Sequence, residues 1–416
     1  MLGVRTNASL SRGKAMSCRA ALYAWTEEVA THLPRLTRPQ AAVLALWSFG
    51  MVLARSCSLT AVSLMLAATL QLKEGSVRQR LREFTYEAAA KRGEKRRELE
   101  VEACFGPLLA WVVAEWEGRD LALALDASSL GDRFVVLAVS VLYRGCAIPV
   151  AWAVLPANRK GAWRPEWLRL LRLVWRAVPR DWRVIVLADR GLYARWLFRR
   201  IVRLGWHPFL RVNSGGTFRP EGAGAYRPLA AFAPRVGDRW AGRGVAFQGK
   251  ERRLGCTLLA CWGEGYADPW LVLTDLPPEA AEVGWYALRA WIEQGFKFAK
   301  RAGWQWQATR MRDPARAARL WLALAVATLW LLRVGGAAED AIAESTLPED
   351  AAEALAAPPR RRRGARWRLV SVFRRGWTAI LAALLNGLPL PTGRFRPEPW
   401  PRAPAPTPAH ALPVPI

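Results

Sequence analysis

Between Leu121 and Pro156 the chain carries three apolar runs, LALALDAS, RFVVLAVSVLY and AIPVAWAVLP, separated only by Ser128–Asp132 and by Arg144 and Gly145. Parallel strands need a crossover of about a dozen residues, so three runs joined this tightly must form an antiparallel meander. The rhythm then changes. A Trp- and Arg-rich helix near Pro165–Val178 is followed by a strand at Val184–Asp189, a helix at Leu192–Leu204 and a short strand at His207–Val212. The predicted sheet is therefore mixed, and an all-parallel doubly wound sheet is excluded.

A meander followed by a βαβ unit is the order of an RNase H-like α/β core. From Asn213 to Pro277 the pattern is strand and Gly-rich turn, with strand runs at Val245–Gln248, Leu254–Ala260 and Trp270–Leu273, and it reads as a β-rich insertion. A helix at Glu279–Ala302 and the very apolar Pro314–Leu332 close the core. Ahead of it the chain is helical: Arg38-Pro39 opens a helix through Ala54, Ser58 heads another at Leu59–Leu70, Gly75 marks a turn, and a basic helix starts at Ser76. That layout is one of a helix-turn-helix presenting Arg78 and Arg80, though any small basic bundle shares it. The expected division is a helical DNA-binding domain at 1–118, an RNase H-like domain at 119–335 with its insertion at about 213–277, a helical segment with the Arg360–Arg363 run at 336–388, and a Pro-rich disordered tail at 389–416.

Lys and Arg total 61 against 34 Asp and Glu, a formal charge of +27 on a chain whose 52% hydrophobic content suits a packed core. A GC-rich coding bias would account for Arg in place of Lys, but not for the missing acids, so an anionic partner such as nucleic acid is expected. The six cysteines show no CxxC pair and the three histidines lie far apart, which argues against zinc and against a disulfide framework. The N-terminus holds no apolar stretch of signal-peptide type, and apolar runs such as Leu320–Leu332 fall short of a membrane span. A reduced, cytoplasmic protein with no membrane partner is the expectation.

Two aspartates end apolar strands: Asp126 after LALAL and Asp189 after VIVLA. A carboxylate there is costly unless paired or bound to a cation, and two brought together repel. Each could equally cap its turn, since Asp favours such positions. At about 100° per residue, Tyr286, Arg289, Glu293, Lys297 and Lys300 share one helical sector, opposite Leu288, Trp291, Ile292, Phe298 and Ala299. An exposed amphipathic face with Arg289–Glu293 pairing would look the same.

The order Asp126, Asp189, Glu293, together with Tyr286-AL-Arg289-AWI-Glu293-QGFKFA-Lys300, resembles the DDE transposases of bacterial insertion sequences that bear a Tyr-Arg-Glu-Lys signature. The likeness covers about Leu121–Leu332; the Arg run and Pro-rich end are no part of it. It implies that Asp126, Asp189 and Glu293 form a catalytic triad holding two Mg²⁺ ions, with Mn²⁺ as a substitute. It implies phosphate contacts for Tyr286 and Arg289 and a further DNA contact for Lys300, to which the helix projection adds Lys297. The partners would be double-stranded DNA, as transposon ends and target, and a second copy of the chain on paired ends, in the bacterial cytoplasm at the nucleoid. Some members stack a flipped base on an aromatic, and among Trp240, Trp262 and Trp270 the sequence makes no choice. Two rivals stay open: an RNase H-like nuclease without strand transfer, and a transposase-derived DNA-binding protein.

Overall fold

The computed structural model describes residues 16–92, 97–158, 161, 163–344 and 369–402. The Arg360–Arg363 run and the last residues of the tail lie outside them. The meander is present: β1 (Asp120–Leu130), β2 (Phe134–Tyr143) and β3 (Cys146–Pro156) pair antiparallel, with Leu125 opposite Val139 and a bulge between Val139 and Ser140. On the other side of β1, β4 (Arg183–Ala188) pairs parallel, Leu123 opposite Val186, and β5 (His207–Arg211) pairs parallel with β4. The fold is thus a mixed α/β, RNase H-like core preceded by helices.

The segment 213–277 extends that same sheet. It holds β6 (Thr217–Pro220), β7 (Arg227–Pro228), β8 (Arg239–Ala246), β9 (Leu254–Cys261) and β10 (Trp270–Thr274), and the sheet runs β3-β2-β1-β4-β5-β10-β9-β8-β6-β7. Strand β10 joins the two halves by pairing antiparallel with β5, Val272 opposite Arg211. The edge of the core that would otherwise be open at β5 is covered by its own chain.

Among the described residues, five α-helices precede the sheet: α1 (Cys18–His32), α2 (Arg38–Ala54), α3 (Leu59–Leu70), α4 (Glu74–Phe84) and α5 (Phe105–Ala114). Thr37 closes α2 with a capping box through Gln40. The turn between α3 and α4 departs from the sequence reading. Gln71 makes it, in the left-handed region at φ 53°, while Gly75 falls inside the first turn of α4. The helices share the core of the sheet domain, for Trp25 stacks on Trp330 at 4.2 Å and donates its indole N–H to Ser48 Oγ.

Against the sheet lie α6 (Arg164–Val174), α7 (Arg195–Arg203), α8 (Trp291–Lys297) and the central helix α9 (Pro314–Ala343). Helix α9 is long and apolar enough to cross a membrane, yet its apolar window is 94% buried within the fold, so it is the core helix. It continues past Leu332, and Arg144 holds its end through Glu339 and Asp340 at 3.1 and 2.7 Å. Helix α10 (Val372–Leu385) crosses it at Gly335 and Gly376, where any Cβ would run into the Val372 and Leu331 carbonyls of the opposite helix.

The expected disordered tail is corrected in its first part. Residues 389–402 are extended but packed: Phe395 is fully buried in a parallel bridge with Trp116, and Trp400 meets Trp285. Proline content excludes helix and central strand, but it does not prevent aromatic anchors from docking.

Candidate active site

The expected single helix at Glu279–Ala302 is instead a relay: a 3₁₀ stretch at Val283–Ala290, α8, and a π-turn at Phe298–Ala302. A uniform helical projection therefore fails, and the 3₁₀ part aligns residues three apart. Tyr286 and Arg289 point the same way for that reason, and Glu293 follows Arg289 at i+4 in the α-helical part. Gly295 lets α8 lie against β3, since a Cβ there would sit 2.9 Å from the Ala147 methyl.

Arg289 is where the three carboxylates meet. Its guanidinium contacts Asp126 Oδ2 at 2.9 Å, Asp189 Oδ2 at 3.4 Å and Glu293 Oε1 at 2.5 Å. Asp126 Oδ1 accepts from the Ala127 N–H and Asp189 Oδ1 from the Gly191 N–H, both at 2.8 Å. At Asp189 turn capping and a shared site are thus not alternatives. Asp126 departs from the sequence reading: it lies within β1, which runs on to Leu130, so it neither ends its strand nor caps a turn. β1 and β4 stop pairing after Ala124 and Leu187, and just beyond that point Asp126 and Asp189 meet Arg289 of the 3₁₀ stretch.

Burial raises the Asp126 carboxyl above its ordinary range; Arg289 opposes this and the neighbouring Asp189 and Glu293 charges add to it. Burial also works against the Arg289 charge, but Asp126 and Asp189 outweigh it and hold the guanidinium ionised. Tyr286, buried and edge-on to Trp270 at 5.2 Å, is pushed up to about 12 by burial and keeps its phenolic proton. Lys300 donates to Ser128 Oγ at 2.7 Å, while Lys297 projects into solvent.

A raised acid implies a stability cost with a definite pH window. The native state holds the Asp126 proton more tightly than the unfolded chain, so stability falls as pH rises from the ordinary carboxylate range through the elevated native value. Asp126→Asn is expected to melt higher than the wild type at pH 7, with the difference vanishing toward pH 3. Equal melting temperatures across a pH series would refute this.

Sequence reading missed a second charged group beside the first. Arg190, next to Asp189, and Arg211, at the end of β5, both bind Asp268 at 2.6 Å. Arg190 is legible in the sequence as the cation directly after Asp189, but nothing local marks Asp268. The tryptophans now separate: Trp240 is core, packed on Phe218 and Phe232, Trp262 donates to the Tyr266 carbonyl, and Trp270 lies between Tyr266 and Tyr286. Far from the carboxylates, Arg78 donates to Thr60 Oγ1 at 3.0 Å. Arg80 lines a cleft of about 720 Å³ with Lys91, Arg92 and Arg97.

Three hard-oxygen donors around one cation fit a divalent metal in chemistry. As they stand, with Arg289 between them, no three His, Cys, Asp or Glu among the described residues approach closely enough to hold an ion. One guanidinium cannot neutralise three carboxylates, and the Asp189 and Glu293 charges add to the burial that raises Asp126.

A mixed sheet of this order, with an aspartate on β1, another just after β4 and a glutamate from a following helix gathered on one arginine, defines an RNase H-like protein with a carboxylate site. Residues 139–330 match the family model of the transposase DDE domain. The match takes in Asp189, Tyr286, Arg289, Glu293, Lys297 and Lys300; Asp126 lies before it. The cryo-EM structure of piggyBac transposase synaptic complex with hairpin DNA aligns over 80% of this chain and 81% of that chain, at 11% identity and a TM-score of 0.33. No curated protein matches the chain.

Proposed function

We propose that the protein cuts and joins the ends of an insertion sequence, with Asp126, Asp189 and Glu293 as the catalytic carboxylates. The observation that supports this reading is their convergence on Arg289, with Asp189, Arg289 and Glu293 inside the segment that matches the transposase DDE domain. Two divalent cations, Mg²⁺ or Mn²⁺, held by these carboxylates would activate the attacking hydroxyl and stabilise the leaving oxygen of an in-line displacement at phosphorus.

The chain's own residues orient the DNA. Arg289 is the planar donor suited to a phosphate, and Tyr286, which stays protonated, donates beside it. Lys300, steadied by Ser128, and solvent-facing Lys297 extend the contact along the strand. Water is the first nucleophile, and the 3′-hydroxyl it frees is the second. Glu293 is 61% and Asp189 38% exposed, an openness that suits a duplex better than a small ligand. A dimer would hold two ends together, and the cytoplasm at the nucleoid supplies both substrates.

The test uses purified protein, Mg²⁺ and labelled duplex from the flanks of its own gene, followed by a pre-cut end bearing a 3′-hydroxyl. Metal-dependent cutting at one position and joining of the pre-cut end to a plasmid are expected. Cutting without joining would make the protein a nuclease, and binding without either would make it a DNA-binding derivative. For the N-terminal helices, replacing both Arg78 and Arg80 by Ala is expected to lower the slope of log K against log salt by about 2, roughly 0.9 for each phosphate contact. An unchanged slope would place the DNA elsewhere.

A further inference from the structure

We propose that the C-terminal segment 394–402 braces the active-site segment from behind, with Trp400 as a positioning residue for Tyr286, Arg289 and Glu293. The consequence for catalysis rests on the transposase reading; the brace itself does not.

The brace has a rigid footing. Phe395 is fully buried, its N–H donates to the Glu115 carbonyl, and its own carbonyl accepts from the Glu117 N–H, both at 2.8 Å. Its ring packs edge-on to Tyr143 at 5.1 Å, and Arg144 Nε donates to the Arg396 carbonyl at 2.8 Å. Five residues beyond this footing Trp400 reaches Trp285, with ring centroids 5.0 Å apart and planes 69° apart. The Arg183 guanidinium lies 5.1 Å from the Trp285 ring and 5.2 Å from the Trp400 ring. That arginine is fixed in turn by two 2.8 Å hydrogen bonds to Asp120. The starts of β1 and β4 are thereby tied to Trp285 through one cation held between two indoles.

Trp285 directly precedes Tyr286. It sits in the 3₁₀ stretch Val283–Ala290, a conformation with poor hydrogen-bond geometry whose orientation must come from outside packing. Phe209 of β5 supplies a neighbour for Trp285 at 5.6 Å, and Trp400 supplies another. Without Trp400, Trp285 loses that contact and the stretch can roll. Tyr286 and Arg289 ride on it, and Glu293 follows. Displacement of a catalytic group by about 1 Å costs on the order of 10²-fold in rate, so a brace this far from the carboxylates still acts on them.

The test compares full-length wild type, Trp400→Ala and Trp400→Phe by hydrogen exchange without DNA, alongside cleavage kinetics on the gene-flank duplex. In Trp400→Ala, amides of 283–293 should exchange faster while those of 120–130 and the N-terminal helices hold. The kcat for cleavage should fall about tenfold or more, with KM within about twofold, the split expected of lost orientation. Trp400→Phe, which keeps an aromatic face, should recover most of both effects. Release of 394–402 with unchanged exchange in 283–293 would overturn the brace. So would faster exchange throughout together with a lower melting temperature, which would make the segment a staple of the whole fold. A loosened 283–293 with unaltered kcat would overturn the positioning role. A wild type that never cuts would sink the transposase reading, while the exchange data would still decide the brace.

Discussion

Glu293→Gln will leave the protein folded and reduce end cleavage by about 10³-fold or more, the scale on which loss of one member of a catalytic unit acts. The substitution keeps size and one acceptor oxygen but removes the charge. Its structural cost is small, because the side chain is 61% exposed and its ion pair with Arg289 spans one turn of helix on the open side of the site. Such pairs contribute about 0.5 kcal/mol, so melting should move little. The two measurements belong together: unchanged melting with lost cleavage assigns Glu293 to chemistry. Cleavage that survives would remove Glu293 from the triad while leaving Asp126 and Asp189 in place.

The parts of the fold that could be read from the chain were those decided locally. Two short connections force the meander, and the apolar run before Asp126 marks the strand that carries it. The pairing of β10 with β5 could not be read, because it joins residues some sixty positions apart and nothing near Arg211 or Val272 announces the partner. The helical projection of 285–300 placed Arg289 beside Glu293 correctly, since that pair lies where the backbone becomes α-helical. It erred upstream, where a 3₁₀ stretch replaces the helix, and it could not show that Arg289 reaches Asp126 and Asp189 across the sheet. The tail failed for a different reason. Proline content describes what a segment cannot form by itself, whereas Phe395 and Trp400 are ordered by partners supplied from β2, the 3₁₀ stretch and the residues around Trp116.

The same arginine that gathers the carboxylates leads to the second large expected effect. Arg289→Ala removes the one cation shared by three acids and leaves Asp126, 17% exposed, without its counter-charge. Breaking a fully buried pair costs about 3–5 kcal/mol. Here Asp189 and Glu293 are open to water, so about 2–3 kcal/mol is expected at pH 7 after screening. The sign with pH follows from the loss of Arg289, which in the wild type pulls the Asp126 carboxyl downward. Without it the native Asp126 carboxyl rises further, so the deficit is full at neutral pH and shrinks as acid protonates it in both states. Added Mg²⁺ or Mn²⁺ should recover more stability in Arg289→Ala than in the wild type, because the cation enters a site the guanidinium no longer fills. Thermal melting with and without metal, at pH 7 and pH 4, reads both trends. A deficit that persists at pH 4, or a metal response equal in the two proteins, would mean that Arg289 supports the fold by packing alone and that the carboxylates do not form one electrostatic unit.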